Sequence, residues 1–521
     1  MFRPLSRPEI ASGTFPTLFL WFNAVLALVY FSWWFALDKV SNPWLYGALF
    51  IGEVYHVLMV LFFWFTIRHL GKKPELALPK WSRKKPTVDV FLTVAGEPIE
   101  IVRTTLECIL HTNYKQKNIY ILNDSFVAGK DNWKEYEVLA KELGVNCLTR
   151  REPGGAKAGN INSALRQTSG DLVAIFDADM CPERDFFAKT VPYFVDEKLG
   201  FVQTPQYYSN QEENLITSSS WEQQEFFFGP IMRGKNDSNA AFICGTNVVI
   251  RRTTLEEVGG MNETSIAEDF LTSLFIHEKG WNSIYVPEVL AQGLAPEDLY
   301  SYYKQQLRWA RGSLEVLFTH NPLFSRRLSW AQKLEYLSSA LYYCGGAIVL
   351  IDALVPIVFL WFGLTPIETA TTVFALYFLP FMITIVLCLH MISGKSLTLR
   401  AISFTQASWF IQLQALLSAI TGRKMAFAVT SKTAVDGNFL SLAIPHLVYI
   451  AIAVIGISLA LYREGLTPAL VTNTSWVLLN IFLFVPFILS AIPRSWSQKL
   501  HHHFPILSTL EGVSPATEGR S

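Results

Sequence analysis

The sequence predicts a doubly wound α/β domain set within a bundle of six membrane-spanning helices. Three observations carry this expectation. Six stretches, at about residues 17–37, 45–67, 337–362, 370–392, 440–462 and 474–493, are each apolar over the ~20 residues that a ~30 Å hydrocarbon core requires. Between the second and third lie roughly 270 residues of ordinary globular composition, enough for one domain. Within them, strand-like runs alternate with helical spacing, the pattern of a parallel sheet covered by helices.

Composition fits this division. Of 521 residues, 51% are hydrophobic and 17% charged, too apolar for a soluble protein and too polar for spans alone. Lys+Arg and Asp+Glu number 43 each, so charge points to no nucleic-acid partner. Cysteines 108, 147, 181, 244, 344 and 388 form no CxxC pair, against zinc or a disulfide framework. The first apolar stretch is too long and too rich in Trp for a signal peptide, and lacks a small-residue cleavage site. Arg and Lys flank the spans on one side, from Arg3 and Arg7 through Arg494 and Lys499, whereas the short loops on the other side hold only Lys39 and Arg463. The positive-inside rule then puts both termini and the large domain in the cytosol of a plasma-membrane protein. The expected division is 1–70 (two spans), 71–298 (cytosolic domain), 299–335 (amphipathic interface helices), 336–393 (spans three and four), 394–439 (interface helix and loop), 440–493 (spans five and six) and 494–521 (cytosolic tail).

In order, "VDVFLTVA" (88–95) reads as a strand, 98–112 as a helix, "NIYILND" as a second strand, 131–143 as a helix, "NCLTR" as a short strand, 156–167 as a helix and "DLVAIFDAD" as the next strand. In doubly wound sheets ligands sit beyond the carboxyl ends of strands. Glu97, Asp124, Asp177 and Asp179 all fall at such ends, four acids on one rim. An Asp after a strand also serves as a turn or cap residue, so each acid alone is a weak signal. Clustered carboxylates repel unless a cation neutralises them, and oxygen ligands suit Mg²⁺ or Mn²⁺ held jointly with a phosphate.

Lys157 stands in "GGAKAGNIN", a Gly-rich turn opening a helix, where exposed amides and an ammonium suit a phosphate. No G-x-x-x-x-G-K-[ST] occurs, against a nucleotide-hydrolysing P-loop. "FICGTNVVIRR" (242–252) reads as a strand. "SIAEDFLTSLFIHEKGW" (265–281) reads as a helix whose first turn holds Glu268 and Asp269, placed for its dipole or for taking a proton from a hydroxyl. "LYSYYKQQLRWARGSLEVLF" (299–318) is amphipathic, with Gln305, Arg308 and Trp309 neighbours on its surface. Glu53, His56 and Asp352 are ionisable groups inside spans.

Taken together, Asp124, "KAGN" (157–160), "DAD" (177–179), "QTP" (203–205), "FICGT" (242–246), "ED" (268–269), Q-x-x-R-W (305–309) and "FAVTSK" (427–432) resemble, in order, a processive family 2 glycosyltransferase of the GT-A fold, similar to the bacterial cellulose synthase catalytic subunit. The resemblance implies that Glu97 and Asp124 hold uridine, that Lys157 and Asp177 contact the diphosphate and ribose, and that Asp179, with Asp177, holds Mg²⁺ or Mn²⁺. It implies Asp269, beside Glu268, as general base, Gln305 and Arg308 on the leaving diphosphate, and Trp309 under the acceptor sugar near Cys244 and Gly245. Phe427, Val429, Thr430 and Lys432 would form a gating loop. The implied partners are a UDP-sugar, the growing polysaccharide and the bilayer, with a place for an accessory periplasmic subunit. The ~28 residues after span six leave no room for a cyclic-di-GMP-binding PilZ domain, which would need a domain's length. A β-glucan from UDP-glucose, cellulose-like, is the leading product. A β-1,3-glucan such as curdlan, a mixed-linkage glucan, a mannan, chitin, hyaluronan, or a transporter or scaffold with an inactive transferase domain are the alternatives. Asn123 replaces the first of a common Asp pair, and Ala267 precedes the E-D pair where Thr is common.

Overall fold

The protein is described by a computed structural model over residues 14–70, 78–79, 85–392, 398–422 and 437–493. Helices α1 (Thr14–Trp33) and α2 (Pro43–Ile67) come first. Asn42 Oδ1 accepts from the Trp44 and Leu45 amides, and Pro43 fills the first helical position, so both cap signals start α2.

The α/β part follows as β1 (Val88–Val94), α3 (Ile99–Leu110), β2 (Lys117–Asn123), α4 (Trp133–Leu143), β3 (Asn146–Thr149), α5 (Ala156–Leu165), β4 (Leu172–Asp177), β5 (Cys181–Pro182), α6 (Phe186–Thr190), β6 (Leu199–Gln203), α7 (Leu215–Phe226), α8 (Met232–Asp237), β7 (Val248–Arg251), α9 (Arg252–Val258), α10 (Glu268–Glu278), β8 (Asn282–Tyr285) and β9 (Ala291–Gln292). Seven strands form one sheet in the order β3-β2-β1-β4-β7-β6-β8, and β5 pairs with β9 apart from it. Strand β1 is buried throughout because both sheet faces are covered. Its alternation sends Val90 and Leu92 to a core with Val102, Leu106 and Ile109 of α3 and Tyr136 of α4. Phe91 goes to the opposite core, with Ala158, Ile161 and Ala164 of α5.

The sheet is mixed, which corrects the expectation of a parallel one. Strands β3, β2, β1 and β4 are parallel, but β7 pairs antiparallel with both β4 and β6. Strand β7 enters from the rim where β4 ends, so the residues just before it lie over that rim. The strand expected over 242–252 is correspondingly short: Gly245 (φ +80°) and Asn247 (φ +54°) are left-handed and break the extended run.

The remaining helices are α11 (Leu299–Thr319), α12 (Trp330–Leu341), α13 (Gly345–Phe362), α14 (Thr371–Ile392), α15 (Leu399–Ala407), α16 (Trp409–Ile420), α17 (Leu440–Glu464) and α18 (Pro468–Leu489). Among the described residues, five helices are long and apolar enough to cross a membrane: Pro43–Ile67, Trp330–Phe362, Thr371–Ile392, Leu440–Glu464 and Pro468–Leu489. The sixth expected span corresponds to α1, whose described apolar stretch, Leu18–Trp33, is shorter. Asn23 ties it in. Its amide donates to Thr384 Oγ1 (2.6 Å) and its Oδ1 accepts from Trp64 Nε1 (2.8 Å), joining α1, α14 and α2.

A buried ion pair fixes the α/β part to these helices. Lys235 Nζ donates to the Glu335 backbone oxygen (2.6 Å) and reaches Glu335 Oε2 (3.2 Å), and Thr66 Oγ1 donates to the same carboxylate (2.7 Å). Thus α8, α12 and the end of α2 meet at one buried acid.

Candidate active site

Asp177 is the last residue of β4, and its amide donates to Thr246 Oγ1 (2.9 Å) in the loop before β7. Lys157, in the first turn of α5, donates from Nζ to Asp177 Oδ1 and to the Gly245 carbonyl oxygen (2.8 Å). Helix α5 begins at Gly155 without a side-chain cap, a start that suits an anion. A Cβ at Gly245 would stand 3.2 Å from Asp269 Oδ2 and 3.8 Å from Lys157 Nζ. The antiparallel β7 therefore delivers its leading loop to the tip of β4, between the ammonium and the first turn of α10.

That first turn holds Glu268 and Asp269, both half-buried. Burial raises Glu268 to about 7, with the charge of Asp269 adding to it and Lys157 and Arg308 opposing it. Burial also raises Asp269, against the Phe270 amide, which donates to its Oδ1 (2.8 Å), and against Lys157 and Arg308. Burial and the Asp269 charge push the Cys244 thiol well above its ordinary value. The site thus sets two cations against three carboxylates, and burial favours the protonated forms of the E-D pair, which suits a group that must take up a proton.

Arg308 comes from α11, which approaches closely for a definite reason. A Cβ at Gly312, one turn beyond Arg308, would lie 2.5 Å from Ala267 Cβ and 2.8 Å from Ala267 N. Only the missing side chain lets α11 rest on the residue that precedes α10. Gln305, buried, and Trp309, half-buried, flank Arg308 on the same helix.

The other expected site residues sit on the same rim with partners of their own. Arg150 Nε and Nη2 donate to Asp124 Oδ1 (2.6 Å) and Oδ2 (2.7 Å), a bidentate, largely buried pair. Arg150 Nη2 also donates to the Ala156 oxygen (3.1 Å), which links Asp124 to the turn that carries Lys157. Glu97 Oε2 accepts from the Ala95 amide (2.6 Å). Asp179 is buried, and its Oδ2 accepts from the Leu294 amide (3.0 Å). The structure therefore brings Lys157, Asp177, Gly245, Glu268, Asp269 and Arg308 together. Phe427, Val429, Thr430 and Lys432 lie outside the described residues. Arg150, Thr246 and Gly312 were not anticipated. Arg150 left a trace in the sequence, since parallel neighbours end on one rim and an acid after β2 can meet a base after β3.

The carboxylates fit a divalent cation. Among the described residues no three His, Cys, Asp or Glu gather as a ready-made cage. Asp177 and Asp179 would supply the one or two carboxylates that Mg²⁺ takes from protein when phosphate oxygens and water complete its shell.

Comparison with known proteins agrees with this geometry. Residues 86–312 match the family described as glycosyltransferase like family 2, and residues 254–489 match the family described as cellulose synthase. The chain is 29% identical over 485 residues, 88% of its length, to a UDP-forming cellulose synthase catalytic subunit of Pseudomonas fluorescens (strain SBW25), and spans 64% of that relative. It is 37% identical over 319 residues, 60% of its length, to the corresponding subunit of Xanthomonas axonopodis pv. citri (strain 306), and spans 42% of it. Among solved structures, a mannosyltransferase from Pyrobaculum calidifontis in complex with GDP-Man and Mn²⁺ shares the fold, with a TM-score of 0.52 at 17% identity over 72% of this chain and 99% of that one.

Proposed function

We propose that this chain is an inverting, processive glycosyltransferase that builds a β-linked polysaccharide from a UDP-sugar and passes it across the inner membrane. A cellulose-like β-glucan from UDP-glucose is the product favoured by the relatives it matches. The observation that carries the reading is the convergence of Lys157, Asp177, Gly245 and Asp269 at the end of β4, with Arg308 brought in by α11.

The donor diphosphate lies at the start of α5, its negative charge met by Lys157 and Arg308. Asp177 and Asp179 would hold Mg²⁺ or Mn²⁺, which neutralises the leaving diphosphate when bound. The acceptor rests near Cys244, Gly245 and Trp309, so that its terminal hydroxyl faces Asp269. Asp269 takes the hydroxyl proton as the oxygen attacks the anomeric carbon from the side opposite the nucleotide. Glu268 shares the charge of the pair. The bond to UDP breaks as the glycosidic bond forms, so one displacement inverts the α-linked donor to a β-linked product. Glu97 and Asp124 line the nucleoside end, Asp124 with its Arg150 partner. Gln305, beside Arg308, binds the leaving diphosphate.

The test is to incubate purified protein in nanodiscs with each UDP-sugar and Mg²⁺ or Mn²⁺, then digest any product with linkage-specific glycosidases. Polymer from UDP-glucose that a β-1,4-glucanase degrades is the expected result. Polymer resistant to it but cut by a β-1,3-glucanase, mannanase, chitinase or hyaluronidase assigns another product. UDP release with none of these sugars overturns the enzyme reading.

A further inference from the structure

The turn that opens α5 is strained. Gly154 (φ +135°), Gly155 (φ +64°) and Ala156 (φ +43°) run in succession through positive φ, and Lys157 follows at once. An alanine adopts such a backbone only where its surroundings hold it there, and positions of this kind gather at ligand-binding turns. Here the hold comes from Arg150. Its Nη1 donates to the Gly154 oxygen and its Nη2 to the Ala156 oxygen (3.1 Å), so the carbonyls on either side of Gly155 are tied to one guanidinium. Its Nε and Nη2 hold the two Asp124 oxygens at 2.6 and 2.7 Å. Four of its five N–H groups are thereby engaged, one on each of four acceptors. The Arg150 amide donates to the Asn123 oxygen (3.0 Å), which fixes the root of the side chain beside the end of β2. Gly159 leaves room for the head group: a Cβ there would meet the Gly154 oxygen and stand 2.7 Å from Arg150 Nη1.

We propose that Arg150 is a positioning residue that joins the two ends of the donor site, its guanidinium setting Asp124 at the nucleoside end and shaping the turn that aims Lys157 at the diphosphate. The inference rests on the function proposed above, which puts the nucleoside at Asp124 and the diphosphate at Lys157. A guanidinium is a rigid planar fork that can hold acceptors along two edges at once. A lysine would keep the charge but, as a point donor on a flexible stem, could not span both edges. Loosening this bridge should therefore reach the phosphates, although neither Asp124 nor Arg150 is assigned a phosphate contact.

The test is calorimetry on the full chain in nanodiscs with Mg²⁺ and three probes: UDP, UMP and inorganic pyrophosphate. In Arg150→Lys the preference for UDP over UMP should fall severalfold, and pyrophosphate should bind at least tenfold more weakly. Equal losses for UDP and UMP with pyrophosphate binding kept, or a lowered melting temperature with the UDP-to-UMP ratio unchanged, overturn the bridge. Asp124→Asn tests it independently should Arg150→Lys fail to fold. That variant removes an anion, which by charge alone tightens pyrophosphate, yet it also takes away one of the two oxygens that hold Arg150. Severalfold weaker pyrophosphate binding is the expected result, and unchanged or tighter binding overturns the proposal. Wild-type protein that binds none of the three probes refutes the donor site itself, a result distinct from UDP binding that Arg150→Lys leaves intact.

Discussion

Gly312→Ala tests the geometry most sharply, because the change is one methyl group on a helix. The new Cβ would stand 2.5 Å from Ala267 Cβ, where carbon atoms at rest sit ~3.5–4.0 Å apart. Helix α11 must therefore retreat from the start of α10 by about 1 Å or more, carrying Arg308 with it. A displacement of that size at a reacting centre costs up to about 100-fold in rate. Two stability effects oppose each other: alanine favours a helix over glycine by about 1 kcal/mol, and overpacking costs about 1–3 kcal/mol. The melting temperature should then move little while kcat falls steeply. Gly47→Ala in α2, with nothing within 4 Å of its Cβ, is the matched control: it should leave kcat unchanged and raise the melting temperature slightly, the helix preference acting without the overpacking. The assay is UDP release with a melting curve for each variant. Wild-type turnover by Gly312→Ala would refute the argument that this close approach places Arg308.

Asp269→Asn should lower turnover by about 10²–10⁴, the usual worth of a general base, while calorimetry finds UDP affinity little altered. The pH profile of kcat/KM should lose activity on its acid side at a higher pH than an ordinary aspartate would give, because burial raises Asp269 and the base must be deprotonated to accept a proton. The raised Glu268 makes a stability prediction: its folded carboxyl holds a proton that the unfolded chain releases above its ordinary value of 4.5, so stability falls as pH rises from 4.5 through about 7. Glu268→Gln should accordingly raise the melting temperature at pH 8 and leave it unchanged near pH 4. Glu335→Gln removes the charge facing buried Lys235, and breaking a buried pair costs about 3–5 kcal/mol, read as a large fall in melting temperature.

Local signals made much of the fold legible. Strands β1 to β4 and helices α3 to α5 fall where alternation, helical spacing and the Gly-rich turn put them, because each is decided by its own residues. The sense of β7 was not legible, since strand direction depends on where the chain re-enters the sheet. Strand β6 (Leu199–Gln203) and helix α7 were missed because a five-residue buried run and a Ser-rich, weakly periodic helix give faint patterns. The rim acids were found by position, but their partners were not, because Arg150 meets Asp124 only through the pairing of β2 with β3. The Gly312–Ala267 approach joins residues far apart in sequence, and a glycine in a helix announces no such contact by itself.

The antiparallel strand is what lets one rim serve both substrates in the proposed mechanism. In a wholly parallel sheet every strand would end at the rim and lead away into a helix. Strand β7 instead begins there, so residues 244–246, bent at the left-handed Gly245, reach the tip of β4 just ahead of it, offering a carbonyl to Lys157 and a hydroxyl to the Asp177 amide. In the proposed mechanism that backbone separates the donor side, marked by Lys157 and Asp177, from the acceptor side, marked by Asp269. A side chain at Gly245 would press on Asp269 Oδ2 at 3.2 Å and fill the gap between it and Lys157, and its φ of +80° disfavours any other residue. Gly245→Ala should therefore slow transfer to an acceptor more than it weakens UDP binding. Equal losses in both would place Gly245 in the donor pocket and remove the partition on which the mechanism depends.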